Sequence, residues 1–172
     1  MRRLALARPD VAFTLAHNRC TVLSLPAATT RDDRQRRVAK ICGEPFAEQS
    51  VHIEHEAEGI ALTGWIALPT YNRSQPDQQF WFVNGRSIAD RTLSHAARHA
   101  YRDVLFHGRF PAYVLGITMD PAGVDANAHP AKHEVRFRES RLVHDFLFRS
   151  VHQALAEIRP DGARAAAQPP PA

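Results

Sequence analysis

The stretch Gln79-Phe80-Trp81-Phe82-Val83-Asn84-Gly85, followed at Asp90 by a helical repeat of apolar and polar residues, constrains this chain more than any other part of it. Five residues dominated by aromatic side chains predict an apolar strand, and Asn84-Gly85 supplies two positions that tolerate positive φ, as a tight hairpin turn requires. Asp90 then offers a side-chain oxygen to the first amides of a helix running to about Phe106, with Gly108 as its stop. Strand, turn and amphipathic helix in immediate succession predict a mixed α/β chain.

The remaining pattern alternates in the same way. Val11 to His17 and Cys20 to Leu25 read as strands around Asn18-Arg19. Thr30, with Asp33 three residues later, opens a helix that ends at Cys42 and Gly43. Val51 to Glu56 and Ile60 to Leu68 read as a further strand pair, and Pro69 to Asp77 as a polar, mobile loop. Ala112 to Asp120 is a strand, and Ser140 to Ile158 is a helix with Leu142, Phe146, Val151, Leu155 and Ile158 spaced to cover a core. No internal repeat is visible.

Composition narrows the class. The 172 residues are 44% hydrophobic and 23% charged, ordinary for one globular domain, and the net charge of +4 favours anionic partners. Cys20 and Cys42 are too few for a disulfide framework or a cysteine zinc site, which favours a reduced, cytoplasmic setting. Residues 1–9 carry no continuous apolar region of a signal peptide and read as the end of a helix that begins elsewhere, stopped at Pro9. No segment has the length and apolarity of a membrane span. Residues 159–172, rich in Ala and Pro, read as a disordered linker, which leaves 10–158 as the domain proper.

Two features point to chemistry. Leu93, Ala97, Ala100 and Val104 form one stripe of the predicted helix, while Arg91, His95, Arg98 and Arg102 recur on another. Residues 86–109 carry five Arg against Asp90 and Asp103, a ridge suited to phosphate backbones with no implied base readout. A solvated helix face is the plain alternative, and the stripe itself has no aromatic interleaving for single-strand stacking. The second feature is Lys132, one of only two lysines among 22 basic residues. It sits between Pro130, which stiffens the chain and holds His129 extended, and Glu134-Val135-Arg136-Phe137, a half-buried strand with Val135 and Phe137 inward. A compact ammonium suits a terminal phosphate, although chance retention of one lysine would look the same.

Catalytic machinery is not legible. There is no G-x-x-x-x-G-K-[ST], no G-x-G-x-x-G, and no nucleophile in an elbow or triad context. The pairs His95-x3-His99 and His129-x3-His133 have metal-ligand spacing without residues to complete a shell, so no metal site is expected.

Phe82-Val83-Asn84-Gly85-Arg86, Asp90-Arg91, and Val124-Asp125-Ala126-Asn127-Ala128-His129-Pro130-Ala131-Lys132-His133-Glu134-Val135-Arg136-Phe137 closely resemble the second domain of the MutL family of DNA mismatch repair proteins. The resemblance spans residues 1 to 158. It implies a transducer domain of the GHKL ATPases: a β-α-β sandwich of the ribosomal protein domain-2-like superfold with a left-handed crossover, as in gyrase B and the GHMP kinases. It further implies that Lys132 contacts the γ-phosphate of ATP held by a neighbouring N-terminal ATPase domain, supported by Asn127, His129 and Pro130, and that Arg86, Arg91, His95, Arg98 and Arg102 face DNA. ATP and Mg²⁺ are then the cofactors of the longer protein, with the Mg²⁺ ligands outside these residues.

The same resemblance implies MutS and a downstream repair nuclease or helicase as partners, a homodimer in the longer protein, and a bacterial cytoplasmic, nucleoid-associated location. Ala126 and Ala128 depart from the valines usual in the family, which reduces packing volume before the lysine loop. The family's ATPase motifs and its endonuclease part do not occur in these residues. Two other readings stand beside this one: a stand-alone nucleic-acid-binding module of the same fold without nucleotide coupling, and a small-molecule kinase of the shared superfold, which lacks its phosphate loop here.

Overall fold

A computed structural model describes residues 2–129 and 134–167. The chain opens with a short helix α1 (Arg2–Ala7) and a hairpin of β1 (Phe13–His17) and β2 (Cys20–Leu25). Asn18 and Arg19 make its turn with φ of 50° and 64°. Helix α2 (Arg31–Cys42) follows, with the Thr30 hydroxyl accepting the Asp33 amide at 3.1 Å and Gly43 at φ 102° closing it, as the sequence predicts. A single turn, α3 (Glu44–Glu48), leads into β3 (Ser50–Ala57) and β4 (Ile60–Ala67).

Next come β5 (Gln79–Val83), β6 (Arg86–Ile88), α4 (Arg91–Ala100) and β7 (Tyr113–Thr118). A five-stranded sheet forms in the order β3-β4-β7-β5-β6, with β5 and β7 parallel and every other pair antiparallel. Helix α4 lies on the connection between the two parallel strands. A separate ribbon pairs β8 (Val124–His129) with β9 (Glu134–Phe137), and α5 (Ser140–Ala167) ends the described chain.

Period-two alternation sorts the sheet residues between two cores. Leu62, Ile66, Trp81, Val83, Tyr113, Leu115 and Ile117 join Leu93, Ala96 and Ala97 of α4 and Val143, Phe146, Leu147 and Val151 of α5. Trp65, Ala67, Phe82 and Val114 turn to the opposite face, against Val38 of α2 and Phe46 of α3. Helices therefore cover both faces of the sheet, a three-layer α/β arrangement. Val135 and Phe137 are buried in the first core, as their alternation predicts.

Three expectations need correction. Helix α4 stops at Ala100, not near Phe106: Tyr101 caps it, its amide shared between the Ala97 and His99 carbonyls, while its side chain is 1% exposed and its hydroxyl donates to the Ala67 carbonyl at 2.5 Å. Beyond it the amides of Arg102 and Val104 bond three residues back, to His99 and Tyr101, tightening the chain out of the α-helix. Helix α5 continues past Ile158 to Ala167. Pro160 and Gly162 read as breakers, but Ala163 and Ala165 to Ala167 have the highest helix propensity of any residue type. The loop expected to be mobile is anchored: Arg73 and Phe110 exchange backbone bonds of 2.9 and 2.8 Å, and the Arg73 guanidinium grips Asp77 at 2.9 and 2.8 Å. Residues 168–172 of the expected linker lie outside the described residues.

Candidate nucleic-acid interface

Helix α4 presents the predicted basic face because its apolar side is fully consumed by the core. Leu93, Ala96 and Ala97 are 0% exposed, so Arg91, His95 and Arg98, on the remaining arc, are left in solvent. Its N-terminus is set by Asp90, whose carboxylate accepts the Leu93 amide at 3.2 Å. The preceding hairpin is fastened by Asn84, φ 51°, whose side-chain oxygen accepts the Met119 amide at 3.0 Å. That bond ties the β5–β6 turn to the end of β7 and fixes where Arg86 leaves the sheet.

His95, Arg98 and Arg102 meet along one cavity of about 490 Å³. Arg91 and His95 meet again in a depression that Arg141 and His144, from the first turns of α5, complete. Arg86 is exposed on β6 but borders neither. Arg98 is steadied by Phe110, whose ring centroid is 5.4 Å from its guanidinium carbon. Among the described residues, Arg and Asp or Glu pair at Arg8–Asp10, Arg31–Glu54, Arg36–Asp33 and Arg73–Asp77. None of these involves Arg86, Arg91, Arg98, Arg102, Arg109 or Arg141. Five of these guanidiniums, all but Arg86, border the two depressions, and a face so charged attracts polyanions with an attraction that salt screens.

Several site residues escaped the helical spacing. Arg109 reaches the first cavity, held by Nε donating to Asn72 Oδ1 at 2.6 Å. His144 sits with Nε2 3.0 Å from His95 Nδ1, and the His99 ring lies tilted by 38° against Phe148 at 4.7 Å between centroids. Phe106, 84% exposed, borders the same cavity as the arginines and supplies the aromatic surface that the stripe itself lacks. A helical wheel of α4 does not show Arg109, Phe106, His144 or Phe148, since they come from the turns after Tyr101 and from α5, whereas His99 lies on α4 itself.

For Lys132 the description stops short. Its flanks are described: Val124 pairs with Phe137 and Asp125 with Arg136, and a register shift follows before His129 pairs with Glu134. Asn127 and His129 belong to β8 by their backbone. Pro130 and Lys132, with His133, lie outside the described residues, as do the side chains of Asn127 and His129. Among the described residues, no set of three or more His, Cys, Asp and Glu is placed to hold a metal ion. None of their helices is long and apolar enough to cross a membrane.

Comparison with known proteins gives a consistent pattern. The family model described as DNA mismatch repair protein, C-terminal domain, matches residues 38–156. DNA mismatch repair protein MutL of Pseudomonas entomophila is 56% identical over 166 residues, 96% of this chain and 26% of that protein. MutL of Pseudomonas paraeruginosa is 55% identical over 161 residues, 94% of this chain and 25% of that protein. The chain thus spans about a quarter of the length of the curated relatives it matches. Among solved structures, the N-terminal domain of a DNA repair protein superposes with a TM-score of 0.70 at 16% identity, over 92% of this chain and 52% of that one. A mutant of the Aquifex aeolicus MutL ATPase domain gives 0.51 at 20% identity, over 85% and 48%. At such identities the likeness is one of fold.

Proposed function

The chain belongs to the MutL family of DNA mismatch repair proteins, and from that premise we propose that it acts as a transducer domain whose α4 face contributes DNA binding through backbone phosphates. The observation that carries this reading is the run of arginines bordering two adjoining depressions, none of them in an ion pair with an Asp or Glu among the described residues. Each guanidinium that meets a phosphate releases condensed counterions, so affinity comes mostly from charge and carries no sequence information. Titrating this chain with two duplexes of equal length and unrelated sequence tests it. Equal affinities within about twofold are expected, whereas the several-fold preference that base contacts generate contradicts the reading.

A second role is proposed for Lys132, supported by the family resemblance and by the paired strands β8 and β9 on either side of it. In the longer protein its ammonium donates a charge-assisted hydrogen bond to the γ-phosphate of ATP bound by the N-terminal ATPase domain, with Asn127, His129 and Pro130 stiffening its approach. Bound ATP supplies the phosphoryl group, and Mg²⁺, held by residues outside this chain, neutralises its charge. Such a bond is worth about 1.5–3 kcal/mol. It exists only while the γ-phosphate is present, so it biases one domain orientation over the other. In this reading the longer protein is a cytoplasmic, nucleoid-associated homodimer that works with MutS and with a downstream nuclease or helicase.

A further inference from the structure

Past α4 the chain turns back through residues 101–111, and Phe106 is left 84% exposed. One exposed ring is ordinary on a protein surface. This one borders the cavity of about 490 Å³ whose walls include Arg98, Arg102, Arg109 and His107, and among the described residues no carboxylate lines it. That volume lies in the range of small-ligand pockets.

Two of the three guanidiniums are already oriented. Arg98 lies over the Phe110 ring at 5.4 Å. Arg109 donates through Nε and Nη2 to the side-chain and backbone oxygens of Asn72, at 2.6 and 3.2 Å, which leaves Nη1 for a ligand. Guanidiniums beside one open aromatic face match a nucleotide, with phosphate for the first and base for the second. A base within a duplex has both faces covered by its neighbours, so the ring is reached by an unpaired one.

We propose that this cavity takes one unpaired nucleotide of a DNA strand, its base stacked on Phe106 and its phosphate held by Arg98, Arg102 and Arg109. The proposal rests on the reading of the α4 face as a DNA-binding surface. It adds a preference for single strands that the arginine stripe does not supply.

The test uses this chain and three labelled probes of equal length: a single strand, the same strand made abasic, and a duplex, read by fluorescence anisotropy. The base-bearing strand is expected to bind about five- to a hundredfold more tightly than the abasic one. Phe106→Ala removes that difference and leaves the abasic and duplex affinities within about twofold, while Phe106→Trp retains it. A deoxynucleoside monophosphate at equal nucleotide concentration does not displace the strand. Equal binding of the base-bearing and abasic strands, or a Phe106→Ala loss falling equally on both, overturns the pocket and leaves the phosphate-binding face standing. Displacement by the monophosphate overturns the assignment to a strand. Failure of the unaltered chain to bind any probe, duplex included, overturns this proposal together with the reading it rests on.

Discussion

His95 of α4 and His144 of α5 stand ring beside ring, with Nδ1 of the first 3.0 Å from Nε2 of the second and centroids 5.2 Å apart. A neutral imidazole has one donor and one acceptor nitrogen, so the bond requires at least one uncharged ring. His144 Nδ1 in turn lies 3.4 Å from Asp145 Oδ1. The pair joins the two helices where His95 borders both basic depressions and His144 borders the second. A double-mutant cycle with His95→Ala and His144→Ala, followed by urea unfolding, is expected to give a coupling of about 0.5–1.5 kcal/mol. Strictly additive losses would show that the contact contributes nothing.

Arg37 fastens the N-terminal segment to the domain. It is 4% exposed, and its guanidinium donates to the carbonyls of Ala5, Pro26 and Arg8 at 3.0, 2.8 and 3.1 Å. Arg37→Ala leaves three acceptors without this partner and should cost about 2–4 kcal/mol. Hydrogen exchange should rise first in α1 and the β1–β2 hairpin, ahead of the central sheet. Unchanged exchange in those segments contradicts the clamp.

Gly64 lies in the middle of β4 with φ +149°, opposite Leu115 of β7. A Cβ there would press into the Val114 carbonyl oxygen and come within 2.9 Å of the Leu115 Cα. Those neighbours are backbone atoms of a central strand and cannot yield as a side-chain end does. Gly64→Ala is therefore expected to lose about 3 kcal/mol or more, from strain and overpacking together. A melting temperature equal to that of the unaltered chain would contradict this.

In the longer protein, Lys132→Ala should lower ATP turnover by about 10²–10³-fold, the scale for losing one electrostatic donor. Lys132→Arg should be impaired as well, because a planar fork does not replace a point charge in a confined site. Unaltered turnover in the first variant, or normal γ-phosphate-dependent domain closure in the second, removes Lys132 from the proposed role.

The local signals were the readable ones. Asn84-Gly85, Asn18-Arg19 and the Thr30 cap act through their own backbone, within three residues, so a single sequence displays them. The inward face of α4 was readable for the same reason, since Leu93 and Ala97 repeat at the helical period. Its length was not, because the chain tightens after Ala100 beside Tyr101, whose hydroxyl is held by a carbonyl 34 residues earlier in the chain. His144 joins His95 from 49 residues away, and Phe106 reaches the arginines only after the helix has stopped. Each of these needs the tertiary fold before it has meaning. Alanine propensity in residues 163–167 was present in the sequence but was outweighed by Pro160 and Gly162.

The charge of α4 and of the turn after it meeting phosphate is tested most directly by the salt dependence of duplex binding to this chain, for the unaltered protein and for Arg91→Glu, Arg98→Gln and Arg102→Gln. The account predicts log affinity falling linearly with log salt, and a slope shallower by about 0.9 for each phosphate contact removed, whatever the DNA sequence. Variants whose slopes match that of the unaltered chain, or whose losses depend on the sequence of the duplex, would contradict it.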